Sequence, residues 1–301
     1  MKSLLTTTVL LLAPTAVSSG ATPVTFEQQG DQITVKIGDA PFAVYNTSKD
    51  LPKPFFSPVY DPNGTIISRP LENPEDHKHH KGIWVSIDEV NGIKFWAEAG
   101  KIENISVESH ASAGDDPGTL KVVNHWLGED GMPVVIESTT IAIFQNRLVS
   151  YDIAFSAPAG PVTFGDTKEG LFGFRMINSM REKEGGQVVN ADGKQGTAEC
   201  WGQVSAWVDY YGEAEGKIAG VTLMDHPGNF RPSRYHVRDY GLFTISPFGE
   251  KAYTKGASDA EPVVLDKGES LRLRYGIYIH SGNTQEGKVA DAYKQFLSAT
   301  K

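Results

Sequence analysis

Apolar and polar residues alternate along much of the chain, in short runs separated by turn-forming residues. Gln32–Ile37 is one such run, and longer ones follow at residues 120–127, 134–144 and 148–155. A period of two is typical of a strand with one buried face, and the Asn91-Gly92 pair between two runs is typical of a tight hairpin. About 18 to 20 strands are implied, which predicts an all-β protein built as a large β-sandwich.

One segment near the C-terminus has a different period. Between residues 285 and 298 the apolar positions are Val289, Ala292, Tyr293, Phe296 and Leu297. This spacing predicts an amphipathic helix that covers the outside of the sheets. No repeat or linker interrupts the pattern, so residues 21–301 are predicted to form a single β-supersandwich domain with a C-terminal helix.

Residues 1–20 are predicted to be a signal peptide. Lys2 precedes an apolar stretch at residues 4–17, and small residues follow at 18–21. The apolar stretch is too short for a spanning helix and contains Pro14, and no later window is apolar enough to span a bilayer. We therefore expect a periplasmic or secreted protein that has no membrane contact after removal of the signal.

Composition narrows the classes of partner. The chain has 37 Asp and Glu against 28 Lys and Arg, with a formal net charge of -9. Because an acidic chain without a basic tract repels phosphate backbones, no nucleic-acid partner is expected. Cys200 is the single cysteine, so an intramolecular disulfide is excluded, and we interpret it as a buried, inert thiol.

The most unusual polar segment is residues 76–81, DHKHHK, which holds three of the eight histidines. Imidazole binds metals, transfers protons and holds anions near neutral pH. In an extended chain His77 and His79 share one face, and with a distant third ligand they could hold a divalent metal. The neighbouring lysines disfavour a cation and favour an anion, or proton transfer at His79 and His80. A solvated turn is the plain alternative.

A second polar segment, GDTKEGLFGFR at residues 165–175, places charges between glycines. Asp166 and Glu169 are candidate acid–base carboxylates, and Lys168 is a candidate anion-binding group. Arg175 lies in an apolar, strand-like run, where a buried guanidinium needs a carboxylate partner or a ligand. A charged turn without function is the alternative.

A third polar segment is residues 225–241, DHPGNFRPSRYHVRDYG. Asp225 could orient His226 as a general base, and His236 is a second candidate. A salt-bridged crossover loop is the alternative. Candidate sugar- or anion-contacting residues are Tyr235, Arg238, Tyr240 and, further upstream, Trp201.

Several of these stretches resemble a bacterial family labelled PmoA-like. The similar stretches are DHKHHKGIW, NGIKFWAE, GDTKEGLFGFRM, WGQVSAWVDYYG and DHPGNFRPSRYHVRDYGLF, which cover most of residues 76–248. The resemblance implies a galactose-mutarotase-like supersandwich and a role in polysaccharide degradation. The label refers to a methane oxygenase subunit with several spanning helices. Methane oxygenase activity is not expected, because no such helices are predicted here.

The expected function is an exported carbohydrate-active enzyme that acts on an acidic oligosaccharide. Its catalytic candidates are His79, His80, Asp166, Glu169, His226 and His236, and its substrate-binding candidates are Lys168, Arg175, Trp201, Tyr235, Arg238 and Tyr240. Epimerisation, elimination or hydration, and hydrolysis all fit this set, and no cofactor is expected. Two alternatives stay open: a non-catalytic carbohydrate-binding module, and a metal-dependent enzyme that uses His77 and His79.

Overall fold

The computed structural model describes residues 22–72, 74 and 76–300, and the predicted signal peptide lies outside these described residues. In chain order the strands are β1 (Val24–Gln29), β2 (Gln32–Ile37), β3 (Ala40–Asn46), β4 (Phe55–Val59), β5 (Ile83–Val85), β6 (Glu89–Val90), β7 (Ile93–Lys94), β8 (Lys101–His110), β9 (Gly118–Leu127), β10 (Pro133–Ile143), β11 (Leu148–Ser156), β12 (Val162–Phe164), β13 (Phe172–Arg175), β14 (Gln187–Asn190), β15 (Trp207–Ala214), β16 (Lys217–Asp225), β17 (Arg234–Val237), β18 (Leu242–Ser246), β19 (Val263–Leu265) and β20 (Ser270–Ser281). The α-helices are α1 (Thr197–Cys200), α2 (Glu250–Tyr253) and α3 (Val289–Ala299), and short 3-10 turns occupy Asn178–Met180 and Glu182–Glu184.

These strands form two large antiparallel sheets and one small one. The first sheet has the order β1-β2-β3-β4-β5-β13-β18-β17, and the second has the order β14-β15-β16-β20-β11-β10-β9-β8. The small sheet has the order β19-β12-β6-β7. The predicted Asn91-Gly92 hairpin joins β6 to β7, with the positive φ values of 51° and 81° that such a turn requires. The all-β sandwich with a C-terminal helix is therefore confirmed.

The main core lies between the two large sheets. Phe172 of β13 reaches Tyr151 of β11 and Tyr275 of β20, with ring centroids 4.5 and 6.0 Å apart. Buried apolar side chains from both sheets form one continuous cluster around these rings. Burial of each large apolar side chain stabilises the fold by about 1.5–3 kcal/mol, so this layer holds the sheets together.

Helix α3 packs on the outer face of the second sheet, as predicted. Phe296 and Ala292 contact a small buried cluster that includes Leu148 and Met224. The helix begins at Val289 and not at residue 285. The preceding residues form a turn, because the Asn283 side chain accepts hydrogen bonds from the backbone N–H groups of residues 285 and 286.

The outer face of the first sheet carries polar and aromatic residues in register. Antiparallel pairing aligns Trp84, Gly173, Thr244 and His236 in one row across β5, β13, β18 and β17. Because side chains alternate along a strand, this row faces away from the core residue Phe172. A Cβ at Gly173 would lie 2.9 Å from Thr244 Cγ2 and 3.2 Å from the Trp84 ring, so glycine is what fits between them.

Within the described residues, no helix has both the length and the apolar character that crossing a bilayer requires.

Candidate functional site

The histidine segment folds as a tight turn and not as an extended strand. The N–H of His80 donates to the carbonyl of His77 at 2.9 Å. This turn stacks the His77 and His80 rings, with centroids 4.6 Å apart and planes 4° apart, while His79 meets His80 edge-on at 4.5 Å. The arrangement expected of an extended chain, with His77 and His79 on one face, is therefore wrong.

The backbone of the turn is held in an uncommon conformation. His77 has a φ of 37°, in the left-handed region that non-glycine residues rarely adopt. Buried Arg69 supports it, because its Nη2 donates to the carbonyls of His77 at 2.9 Å and His80 at 3.1 Å. Local strain of this kind costs about 1–3 kcal/mol and is found most often at functional sites.

Arg175 finds both a carboxylate and an imidazole. Its Nη2 donates to the Asp76 carboxylate oxygens at 3.1 and 3.3 Å, and its Nη1 lies 3.3 Å from Nδ1 of His80. The guanidinium also lies over the Tyr240 ring, 4.8 Å from its centroid. Arg175 therefore organises the site through Asp76 and His80, and its predicted role as a direct anion ligand is corrected, since these partners occupy the terminal nitrogens.

A buried lysine stands behind His79. Nζ of Lys53 lies 2.9 Å from the His79 carbonyl oxygen and 2.9 Å from the Glu98 carboxylate. Burial lowers the pKa of His79 to about 4, and the Lys53 charge adds to this effect while Glu98 opposes it. Burial likewise lowers the pKa of Lys53 to about 8, against the pull of Glu98. His79 is therefore a neutral imidazole at neutral pH.

The second and third polar segments meet at Glu169 and His236. Oε2 of Glu169 lies 3.4 Å from Nδ1 of His236, and Lys168 donates to Oε1 of Glu169 at 2.6 Å. The carbonyl oxygen of Lys168 lies 3.1 Å from the same Nδ1. Burial alone would raise the pKa of Glu169, but the hydrogen bond and charge of His236 and those of Lys168 lower it to about 2.

Those contacts assign the ring proton of His236. Both groups beside Nδ1 are hydrogen-bond acceptors, so in the neutral ring Nδ1 carries the proton and Nε2 is the basic nitrogen. An imidazole oriented through one nitrogen by a carboxylate is the arrangement of a general base. Glu169 is followed by Gly170, which has a φ of 129°. A Cβ atom at Gly170 would lie only 3.0 Å from the carbonyl oxygen of Ser86, so this position has no room for a side chain.

Tyr240 joins the histidine turn to the Glu169–His236 pair. Its ring stacks on His77, with centroids 5.2 Å apart and planes 8° apart. Burial raises the pKa of Tyr240, Arg238 opposes this, and the Glu169 carboxylate reinforces it. Glu169 also acts on the pKa of His79. The two halves are also linked through the sheet, because the His80 ring stacks on Trp84, with centroids 5.9 Å apart, and Trp84 lies in the same row as His236.

An open depression lies beside this junction. It has a volume of about 390 Å³ and is lined by Thr197, Ala198, Trp201, Val237, Arg238 and Asp239. The Trp201 ring meets His236 edge-on at 6.3 Å, and Arg238 is exposed with its guanidinium 5.6 Å from the Tyr240 ring centroid. A wide opening with an aromatic wall and an exposed cation suits a polar, ring-shaped ligand.

Two of the predicted site residues, Asp166 and Tyr235, lie away from this site, and His226 is a third. The carboxylate of Asp166 accepts the backbone N–H groups of Lys251 and Ala252 at 3.1 and 3.0 Å, and so caps α2. The Tyr235 side chain is fully buried between the sheets, and its hydroxyl donates to the Leu223 carbonyl at 3.3 Å. Asp166 has a structural role and Tyr235 is a core residue, so neither is brought to the site.

His226 lies on the outer face of the second sheet, against the C-terminal helix. Its ring meets Phe296 edge-on at 5.8 Å, and its Nδ1 accepts the N–H of Gly228 at 2.9 Å. The Asp225 carboxylate binds Ser233 and Asn229 rather than the His226 ring. The predicted Asp225–His226 base is therefore not formed, and His226 is separated from His236.

Within the described residues, no group of three or more His, Cys, Asp or Glu side chains is placed to hold a metal ion. The metal-dependent alternative uses His77 and His79, whose rings meet edge-on with centroids 5.8 Å apart, and it stays a prediction.

Sequence reasoning missed the residues that support the turn. Arg69, Lys53 and Glu98 are contributed by loops before and after the histidine segment, and none belongs to a recognisable motif. The one signal that could have found them is that a buried charge requires a partner, and this signal can be used only once the structure shows which charges are buried.

Solved structures with a similar arrangement of strands include enzymes from three bacteria. Galactose 1-epimerase from Lactobacillus acidophilus has 9% identity and a TM-score of 0.43, covering 88% of this chain and 100% of that one. An α-galactosidase from Geobacillus stearothermophilus has 10% identity and a TM-score of 0.39, and a heparan sulfate lyase from Pedobacter heparinus has 8% and 0.40; each covers 88% of this chain. This chain spans 41% and 36% of the length of those two proteins, respectively.

No curated protein matches the chain. A family model described as "Family of unknown function (DUF6807)" matches residues 32–294. The matching description does not carry the PmoA-like label, so that part of the resemblance stays a prediction. Because the match spans most of the sequence, the chain belongs to the DUF6807 family.

Proposed function

We propose that this protein is an exported carbohydrate-active enzyme that transfers protons on an acidic oligosaccharide. The observation that carries the proposal is that the Glu169–His236 pair and the histidine turn lie on the outer face of the same sheet. The row of Trp84, Gly173, Thr244 and His236 links them, because the His80 ring stacks on Trp84 with centroids 5.9 Å apart. The open depression lies beside this group, since Trp201 of its lining meets the His236 ring edge-on at 6.3 Å.

His236 is the proposed general base. Its Nδ1 faces Glu169 and the Lys168 carbonyl, which directs basicity to Nε2. His79 is the second proton-exchanging group: as a neutral imidazole it first accepts a proton, and the imidazolium formed is then a strong acid that returns the proton. Epimerisation, elimination and hydrolysis of sugars share this need for an acid and a base, so the proposal covers the proton transfer common to them.

Aromatic and cationic residues account for the proposed substrate class. Trp201 lines the depression and offers a flat apolar face, and sugar rings have apolar faces of matching size. Lys168 has 43% of its side chain exposed, and Arg238 is exposed at the edge of the depression. Arg238 lies in the lining of the depression and favours a sugar that bears a carboxylate or sulfate, while Lys168 is paired with Glu169 beside it.

The test measures turnover and binding of uronate- and sulfate-bearing oligosaccharides by purified protein. His236→Gln and His79→Ala are expected to lower kcat/KM by about 10²–10⁴-fold, because general acid–base catalysis contributes that much. Binding of the same oligosaccharide is expected to change by less than about tenfold, since the aromatic and cationic contacts remain.

His226→Ala is the matched control, because that histidine lies on the other sheet. It is expected to keep wild-type turnover. Wild-type activity in folded His236→Gln would contradict the assigned base. Tight binding with no turnover by any wild-type preparation would instead identify a carbohydrate-binding module.

A further inference from the structure

One ring nitrogen of His80 has a partner that fixes the position of its proton. Nδ1 of His80 lies 3.3 Å from Nη1 of Arg175, and each residue is 1% exposed. A guanidinium carries donors only and stays protonated in proteins. Nδ1 of His80 is therefore the acceptor in this contact, and the single proton of the neutral ring is on Nε2.

Arg175 is itself held on several sides. Its other terminal nitrogen binds both oxygens of Asp76, and Tyr240 covers its face at 4.8 Å. Asp76 is tied in turn to Arg69, which also holds the His80 carbonyl. The guanidinium cannot turn away from His80 without breaking the Asp76 contacts, so the donor is preorganised.

We propose that Arg175 is a positioning residue that locks His80 as a neutral Nε2–H donor, and so leaves proton exchange in the turn to His79. This inference rests on the function proposed above. A second proton on His80 would break the Arg175 contact and bring two cations together in a buried place. The ring of His79 makes no hydrogen bond to any described residue, so it is not locked in this way.

The surroundings of His80 support the same assignment. The charged or titratable groups that face its ring are His77 and His79 of its own turn, Arg69 before it, Arg175 on β13 and Tyr240, whose ring is stacked on it at 6.5 Å. The uncharged rings of Trp84 and Trp96 complete its surroundings. Burial first, and then the neighbouring imidazoles and guanidiniums, hold the pKa of His80 far below the usual value. No carboxylate binds its ring among the described residues.

Two other histidines serve as references of known geometry. Nδ1 of His236 faces two acceptors and must carry its proton, the opposite of His80. Nδ1 of His226 accepts from the backbone N–H of Gly228 at 2.9 Å, so a backbone donor places its neutral proton on Nε2. The ¹⁵N signals of His236 and His226 therefore serve as references for an Nδ1–H ring and an Nε2–H ring, with which the His80 signal can be compared.

The experiment is ¹⁵N NMR of the full chain with labelled histidine, from pH 5 to 8 and without substrate. His80, assigned by its loss in His80→Gln, is expected to show one neutral Nε2–H tautomer throughout. In Arg175→Met it is expected to become a mixture of tautomers, because the donor that fixes the proton on Nε2 is gone. Arg175→Lys is expected to restore the Nε2–H form, because an ammonium group is also only a donor.

Arg238→Met is the matched control for the spectra. It removes the other arginine from the Tyr240 ring and has no contact with His80, so the His80 signals are expected to stay unchanged.

A wild-type His80 that is charged or carries its proton on Nδ1 overturns the inference without any variant. An unchanged His80 spectrum in folded Arg175→Met overturns it as well. The spectra need no substrate, so they fail independently of the proposed function. A wild-type protein that turns over no saccharide would instead refute that function while the tautomer measured by NMR stood.

Discussion

Two histidine–carboxylate pairs lie on outer faces of the two sheets, and they are built differently. On the second sheet, Nε2 of His280 lies 3.0 Å from Asp209, and Nδ1 lies 3.3 Å from the Ser281 carbonyl. Thr222 and Thr284 donate to the same carboxylate at 2.8 and 2.6 Å. Every polar atom of this pair has a partner, and both side chains are at most 1% exposed.

The Glu169–His236 pair on the first sheet has hydrogen-bonding atoms without a partner among the described residues. The Glu169 side chain is 26% exposed, and only Nδ1 of His236 has a partner among the described residues. A histidine and a carboxylate therefore form a closed structural unit at one place and an open one at the other. The comparison teaches that a His–carboxylate contact indicates chemistry only where one nitrogen is left for a ligand.

Asp209→Asn is expected to have the largest effect, and the effect is on stability. It leaves the buried His280 without its counter-charge, and removal of one partner of a buried pair costs about 3–5 kcal/mol. Denaturant unfolding measures the loss. Saccharide turnover per folded molecule is expected to stay at the wild-type level, and a selective loss of turnover would break the distinction between the two pairs.

Glu169→Gln is expected to show the reverse pattern. The amide keeps a hydrogen-bond acceptor near His236 but removes the negative charge that stabilises its protonated ring. We expect kcat/KM to fall about 10²-fold, which is about 2.7 kcal/mol, with a smaller loss of unfolding free energy than in Asp209→Asn. Equal losses of stability in the two variants would show that both pairs are structural.

The pH dependence of stability sharpens the contrast. Burial lowers the pKa of His280, but the Asp209 charge and hydrogen bond outweigh this and raise it above the usual value. Its contribution to stability is therefore complete below about pH 6.5 and is lost as pH rises through the raised pKa. Thermal unfolding from pH 6 to 9 should show this decline, and His280→Gln should flatten it.

His79 acts in the opposite direction. Its pKa in the folded protein is about 4, below that of the unfolded chain, so the unfolded state binds more protons between about pH 4 and 6.5. Stability is expected to rise with pH across that window, and His79→Gln should reduce the slope there without altering the alkaline decline. A single slope common to both variants would contradict the assignments.

The sequence predicted the architecture because strand alternation and the period of α3 are local signals. It did not predict which of the two sheets each polar loop lies beside. His226 and His236 are ten positions apart and look equivalent in sequence, yet β16 belongs to the second sheet and β17 to the first. A crossover between sheets separates neighbours in sequence, and no local pattern records it.

The candidate site could be predicted only in part, because local signals reveal some of its residues and not the contacts between distant strands. Its histidines, Glu169 and Tyr240 stand out as polar groups in otherwise apolar surroundings. Asp209 and His280 instead lie within regular strands that are 71 residues apart, so their pairing depends on the register of β15, β16 and β20. Long-range register is set by the whole sheet and is invisible in either segment alone.

Arg238→Gln is expected to have the smallest effect, and it tests whether the open pair serves an acidic ligand. An exposed ion pair contributes about 0.2–1 kcal/mol, so the affinity for a uronate-bearing oligosaccharide should fall by no more than about fivefold. The loss should shrink as salt increases, and a neutral oligosaccharide of the same length should bind equally well to both proteins.

Arg272→Gln is the control, because that exposed arginine lies on β20 beside Asp152, on the sheet of the closed pair. An equal loss for acidic and neutral sugars would mean that Arg238 acts by supporting the Tyr240 ring and not through its charge. The charge discrimination, more than the size of the effect, therefore decides whether the rim of the open site selects an anion.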